Sequence, residues 1–191
     1  MKNSVILLGC KHSGKTTQGS RLALQSGRIF IDTDDLIQEI CGLTPRELYV
    51  KEGVSGFMLA EEKAAETAAA RADSAGGAVI ATGGGICDNP PALNALRGHG
   101  VFAFLKVDVN FSVERIMRKV TEPEPGKFEG VPAFVLAKNP SSMKEIRMFL
   151  KENFVSRYAL YQDISDITVE LDNAPRAENF RRIVAALSGC I

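Results

Sequence analysis

Residues 9 to 16 read Gly9-Cys10-Lys11-His12-Ser13-Gly14-Lys15-Thr16. This is the pattern G-x-x-x-x-G-K-[ST], which few chains can carry in more than one fold context. An apolar run, Val5-Ile6-Leu7-Leu8, precedes it, and Gly14 to Gln25 reads as a helix after it. Strand before and helix after is the setting the pattern needs. The glycines let the backbone curl so that successive N–H groups point into one concavity, and the helix N-terminus adds partial positive charge. Such a loop holds phosphates. A glycine-rich turn with a solvated lysine is the plainer alternative, and the flanking elements argue against it. Gly9, His12, Ser13, Gly14, Lys15, Thr16 and Thr17 are therefore expected to surround ATP phosphates. Lys15 reaches the β- and γ-phosphates, and the Thr16 hydroxyl ligates Mg²⁺. The cradle needs backbone donors, so the His12 side chain is expected to be a bystander. The Lys15 charge is expected to serve the ligand rather than the fold.

The rest of the chain supplies a scaffold of alternating elements. Strands are expected at Arg28–Asp32, Ala78–Thr82, Val101–Val107 and Ile167–Leu171, and helices at Asp34–Cys41, Ser55–Ala75, Asn89–Leu96, Ser142–Gln162 and Ala177–Leu187. Thr44-Pro45-Arg46-Glu47 is a capping box with proline at the first helical position. Asn110 is expected to cap a helix through Lys119. Near-continuous apolar strands alternating with helices imply a parallel sheet covered on both faces. The expected fold is a three-layer α/β/α P-loop domain with a five-stranded parallel sheet, all in one domain of 191 residues. The stretch 121–140 holds four prolines and two glycines, so it cannot be regular helix, and long loops of this kind are usually functional or disordered.

Charge and cysteine usage exclude some classes. Lys plus Arg and Asp plus Glu both number 23, which argues against nucleic-acid binding through bulk charge. No apolar run approaches membrane-spanning length. The opening apolar run is too short for a signal-peptide core. Cys10, Cys41, Cys87 and Cys190 show no CxxC pair and no metal-ligand spacing, so they read as reduced thiols of a cytoplasmic protein.

Two further loops fall at strand ends, where ligands of parallel α/β folds sit. Asp32-Thr33-Asp34-Asp35 closes the second strand. Carboxylates there suit Mg²⁺ binding and the orientation or deprotonation of an attacking hydroxyl. They equally suit a helix cap supplied by Asp34 or Thr33, and spacing leaves both readings open. Thr82-Gly83-Gly84-Gly85 closes the third strand and lets a ligand approach bare backbone, unless it is a flexible turn.

Taken together these residues resemble shikimate kinases, within the nucleoside-monophosphate-kinase-like P-loop group. Gly9 to Thr17 resembles their phosphate loop, and Phe30-Ile-Asp-Thr-Asp-Asp-Leu-Ile37 resembles their acidic strand end. The resemblance implies Asp32 near Mg²⁺ and Asp34 on the substrate hydroxyl. It implies Gly83, Gly84 and Gly85 against the substrate, and Arg157, in Arg157-Tyr-Ala-Leu-Tyr161, on its carboxylate. Arg118 and Pro175 fall where the family places residues near the adenine. It further implies a helical substrate subdomain over 33–62, a lid over 119–140, and a monomer with ATP and a small molecule as partners.

Two positions depart from the family. Its F-R-x-x-E motif reads Phe57-Met58-Leu59-Ala60-Glu61 here, so Met58 replaces half of the carboxylate clamp. Its lid R-P-L-L motif has no counterpart, because no arginine lies between Arg118 and Arg147. Lys119, Lys127 and Lys138 are the only cations of the lid, with Lys127 the candidate replacement. The leading expectation is phosphorylation of shikimate at a ring hydroxyl. The alternatives are a kinase of another small hydroxy compound, or a nucleotide-binding module without catalysis.

Overall fold

Strand β1 (Ser4–Leu8) is buried along its whole length in the structure, a computed structural model that describes residues 4–190. Val5 and Leu7 enter one apolar cluster, and Ile6 and Leu8 enter another. A strand that is apolar on both faces needs a layer on each, and its period of two supplies both.

The remaining elements provide those layers. They follow as α1 (Lys15–Ser26), β2 (Ile29–Asp32), α2 (Thr33–Cys41), α3 (Pro45–Ser74), β3 (Ala78–Ala81), a 3-10 turn (Ile86–Asp88) and α4 (Pro90–Leu96). Then come β4 (Gly100–Val107), α5 (Val109–Met117), β5 (Thr121–Glu124), β6 (Lys127–Glu129), α6 (Ala133–Leu136), α7 (Met143–Ile164), β7 (Ile167–Leu171) and α8 (Arg176–Leu187). Five strands pair in parallel in the order β2-β3-β1-β4-β7. Leu22 and Ala23 of α1 and Ile183 and Leu187 of α8 cover one face, and α2, α3, α4, α5 and α7 cover the other. This is the expected three-layer α/β/α arrangement.

Local chemistry explains where the expected elements shift. The cap of α2 is Asp32, whose Oδ1 accepts from the Asp34 N–H at 3.0 Å, rather than Thr33 or Asp34. Asp108 caps α5 through the Phe111 N–H at 3.0 Å, so that helix starts one residue before Asn110. The Thr44–Glu47 capping box forms, but Gly53 at φ 68° and ψ −167° breaks α3 into two helical segments. The stretch 121–140 is more regular than expected. Strands β5 and β6 form an antiparallel hairpin, and Pro123 is tolerated because a two-stranded ribbon has free edges. Val131 and Val135 beyond it are fully buried. No helix among the described residues is long and apolar enough to cross a membrane.

Candidate active site

The loop after β1 is wound tightly by three residues at positive φ: Gly9 at 145°, His12 at 65° and Gly14 at 98°. A Cβ on Gly9 would lie 2.8 Å from Ser13 Oγ and 2.9 Å from the Leu105 carbonyl, so only glycine fits. Gly14 offers α1 no side-chain cap, which leaves the first-turn N–H groups facing the cleft. Lys15 is buried, and its Nζ donates to the carbonyls of Gly9 at 2.7 Å and Cys10 at 3.1 Å. Two of its three hydrogens therefore tie the loop together and one remains. This corrects the expectation that Lys15 serves the ligand alone. Burial pushes the His12 pKa down to about 4, aided by Lys119, Lys11, Lys15 and Arg115. His12 is neutral at pH 7, and the cations around it mark a strongly electropositive floor. Arg115 also fixes the loop from outside, donating to the His12 carbonyl at 2.9 Å.

The acids stand beside this loop. Asp32 Oδ2 accepts from the Thr16 hydroxyl at 2.8 Å while its other oxygen caps α2, so the carboxylate serves both of the readings that the sequence leaves open. Asp34 is exposed at the cleft, where desolvation by the surrounding walls and then Asp32 raise its pKa, with Lys15 and Lys11 opposing. Among the described residues no three acids, histidines or cysteines cluster as metal ligands do. The available donors are one hydroxyl and one carboxylate. That set suits a hard cation which takes its other ligands from phosphates and water.

Each glycine of the triplet has its own neighbour. Added Cβ atoms would sit 2.8 Å from Glu61 Oε1 and 3.2 Å from Asp34 Oδ1 at Gly83, 2.8 Å from the Lys11 backbone nitrogen at Gly84, and 3.0 Å from Arg157 Nη2 at Gly85. The missing side chains thus make room for protein groups that must converge. The Gly83 N–H is taken by Thr33 Oγ1 at 3.0 Å. Among the described residues, no hydrogen bond uses the N–H of Gly84 or Gly85. Arg157 lies over Gly85 and bonds the Gly84 carbonyl at 2.9 Å.

His12 to Thr17, Asp32, Asp34, the glycine triplet, Arg115 and Arg157 line one cleft of about 800 Å³ at the carboxyl ends of the strands, whereas Gly9 is not part of its lining. At one end, Arg118, Leu171, Ala174 and Arg176 flank the loop. At the other, Arg46, Tyr49, Phe57, Glu61, Phe134 and Arg157 face Asp34 and the glycine triplet. Thr17 lines the phosphate end. Pro175 precedes α8 as its N-cap. Lys127 is held by Glu124 at 2.6 Å on the exposed hairpin and does not line the cleft, whereas Lys119 does.

Four residues were given no site role by the sequence. Glu61 is 2% exposed, and its Oε1 has no partner. Burial first, and then Asp34 and Asp88, push its pKa up to about 7, against Asn89 and Arg157. Asn89 ties it in place, donating to Glu61 Oε2 at 3.0 Å and to the Met58 carbonyl at 2.9 Å. Asp88 and Arg115 join only through space. The match of Glu61 to the family motif was the one available signal. Cys10 and Cys87 are buried, with pKa values pushed up to about 12 and about 11, as unreactive filler thiols would be.

Comparison with known proteins places this geometry. The family model for shikimate kinase matches residues 11–188. Shikimate kinase 2 of Shigella boydii is 31% identical over 175 residues, which span 92% of this chain and 90% of that protein. Shikimate kinase 2 of Escherichia coli K12 matches to the same extent. The structure of shikimate kinase from Acinetobacter baumannii in complex with shikimate superposes with a TM-score of 0.75 at 25% identity, covering 98% of this chain and 94% of that one. Matched along nearly its whole length, the chain belongs to the shikimate kinase family and is an ATP-dependent small-molecule kinase.

Proposed function

We propose that the chain transfers the γ-phosphoryl group of ATP to a ring hydroxyl of shikimate, giving shikimate 3-phosphate. The observation that carries this reading is the convergence of Asp34, the open N–H groups of Gly84 and Gly85, and Arg157 in the half of the cleft facing Lys15. ATP lies along the phosphate loop with its base toward Arg118. The remaining Lys15 hydrogen and the α1 N-terminus stabilise charge on the transferring group. Asp34 accepts the hydrogen of the attacking hydroxyl, and the desolvation and the neighbouring Asp32 that raise its pKa make it a stronger base than a free aspartate. The Gly84 and Gly85 amides and Arg157 hold the acceptor. Thr16 and Asp32 would hold Mg²⁺, which when bound neutralises phosphate charge. Lys119 takes the place of the lid arginine, since it lines the cleft and acts on His12. Residues 33–62 act as the substrate subdomain and 119–140 as the lid. The chain is read as a cytoplasmic monomer with ATP and the small-molecule acceptor as partners, and the four free cysteines are consistent with a reducing compartment.

Asp34→Asn provides the test. It should lower turnover by at least about a hundredfold with ATP affinity retained, read by ADP release and by titration of a non-hydrolysable ATP analogue. If turnover persists while only the melting temperature falls, Asp34 has a structural role alone. Met58 favours one second reading, a different small hydroxylated acceptor.

A further inference from the structure

Arg157 touches the glycine triplet already paired. Its Nε and Nη2 donate to Asp88 Oδ2 at 2.9 and 2.7 Å, and Nη1 donates to the Gly84 carbonyl at 2.9 Å. The Arg157 side chain is 14% exposed and that of Asp88 is 49% exposed. The Phe134 ring lies 5.2 Å from the guanidinium carbon. A guanidinium has five N–H donors. Three are engaged, so one on Nη1 and one on Nη2 remain for a ligand, and the charge behind them is shared with Asp88.

The cations beside it, Lys11 and Lys15, belong to the phosphate loop, where Lys15 is tied to the Gly9 and Cys10 carbonyls. Position 58 contributes a carbonyl to Asn89, and its side chain carries no cation. On the triplet itself the further charges are acids: Glu61 and Asp34 flank Gly83, and Glu61 feels both Asp34 and Asp88. Arg46 also lines the cleft, and among the described residues no ion pair or side-chain hydrogen bond fixes it beside Arg157, whereas Asp88 is bonded to Arg157 directly.

We propose that Asp88 is a specificity-determining residue of the acceptor site: by pairing with Arg157 it offsets the charge that would select a carboxylate, so the site accepts an uncharged ring polyol nearly as well as the corresponding acid. This rests on the acceptor being bound beside Arg157, as argued above. A role for Asp88 as a mere prop is the smaller effect. The Gly84 carbonyl, Gly85 and Phe134 hold the guanidinium as well, and Asn at position 88 would still present an oxygen to Nε. A negative charge beside a second carboxylate, in a partly buried site, acts over distance and is not replaced by that oxygen.

The experiment is calorimetric titration of shikimate and of its methyl ester into the wild type, Asp88→Asn and Asp88→Ser, with melts to confirm folding. The wild type should bind acid and ester within a few-fold of each other. Both variants should tighten acid binding by roughly tenfold and leave ester binding unchanged, with the gain shrinking as salt is added. In turnover the same gain should appear in KM for the acid. An unchanged acid-to-ester ratio, weaker binding of both probes, or no binding of either probe to any variant would overturn the proposal. ADP release is scored separately. A shifted binding ratio without turnover of either probe supports the role of Asp88 and removes shikimate as the acceptor.

Discussion

Asp34 and Glu61 are both acids on one cleft wall, the first exposed to the cleft and the second buried, yet only Asp34 is legible from sequence. Its place is fixed by chain distance from the phosphate loop, through a strand whose end must lie beside that loop. Glu61 reaches the same wall from the middle of α3, and its partner Asn89 lies 28 residues on. No spacing rule connects them. Glu61 makes a pH prediction. Its folded pKa of about 7 exceeds the ordinary 4.5, so between those values the native state holds more protons than the unfolded chain, and stability falls as pH rises. Glu61→Gln keeps an acceptor for Asn89 and removes this slope. Relative to the variant, the wild type should lose about 3 kcal/mol between roughly pH 4.5 and 7 and little above. Urea denaturation across that range reads it, and a difference that is flat with pH would mean Glu61 is ionised when folded. Lys15 makes another prediction. Because it ties two loop carbonyls, Lys15→Ala should abolish turnover and also cost about 1–3 kcal/mol in stability. A melt unchanged from the wild type would assign Lys15 to the ligand alone.

At the scale of elements, most strands and helices are legible because their apolar patterns and caps agree. The exceptions have physical causes. A hairpin with two prolines and exposed charges shows no alternation, and two caps move because a nearby aspartate competes better than Asn110 or Asp34. Packing also overrides propensity. A Cβ on Gly19 of α1 would fall 2.8 Å from Phe30 and 2.9 Å from Leu7. Alanine there gains about 1 kcal/mol in helix propensity, but overpacking costs about 1–3 kcal/mol, so Gly19→Ala should be net destabilising by chemical denaturation. A stabilised variant would show that α1 moves freely off the sheet. The proposed lid divides at Val131. The β5–β6 hairpin is exposed apart from the half-buried Phe128, whereas Val131 and Val135 are buried. In hydrogen exchange, an ATP analogue should protect the hairpin amides strongly and 131–136 little, since the latter are protected beforehand. Equal exchange in the hairpin with and without the analogue would remove it from the lid.

For the whole molecule, the parallel order β2-β3-β1-β4-β7 brings the ends of β1, β2, β3, β4 and β7 to one cleft, and this much follows from alternating apolar strands and helices. What the sequence leaves open is charge balance across the acceptor half. There Met58, Asp88 and the arginine-free stretch between Arg118 and Arg147 all subtract from the cation set that the family pattern leads one to expect. Binding is therefore expected to be weak while transfer chemistry is retained. The measurement that tests this most directly is the initial rate of ADP release with ATP and Mg²⁺ as shikimate is raised to high concentration, with the product followed by phosphorus NMR. The account predicts saturable, shikimate-dependent ADP formation matched by an equal amount of a new phosphomonoester, at a high KM. ADP release that is independent of shikimate, with no phosphomonoester formed, would contradict it.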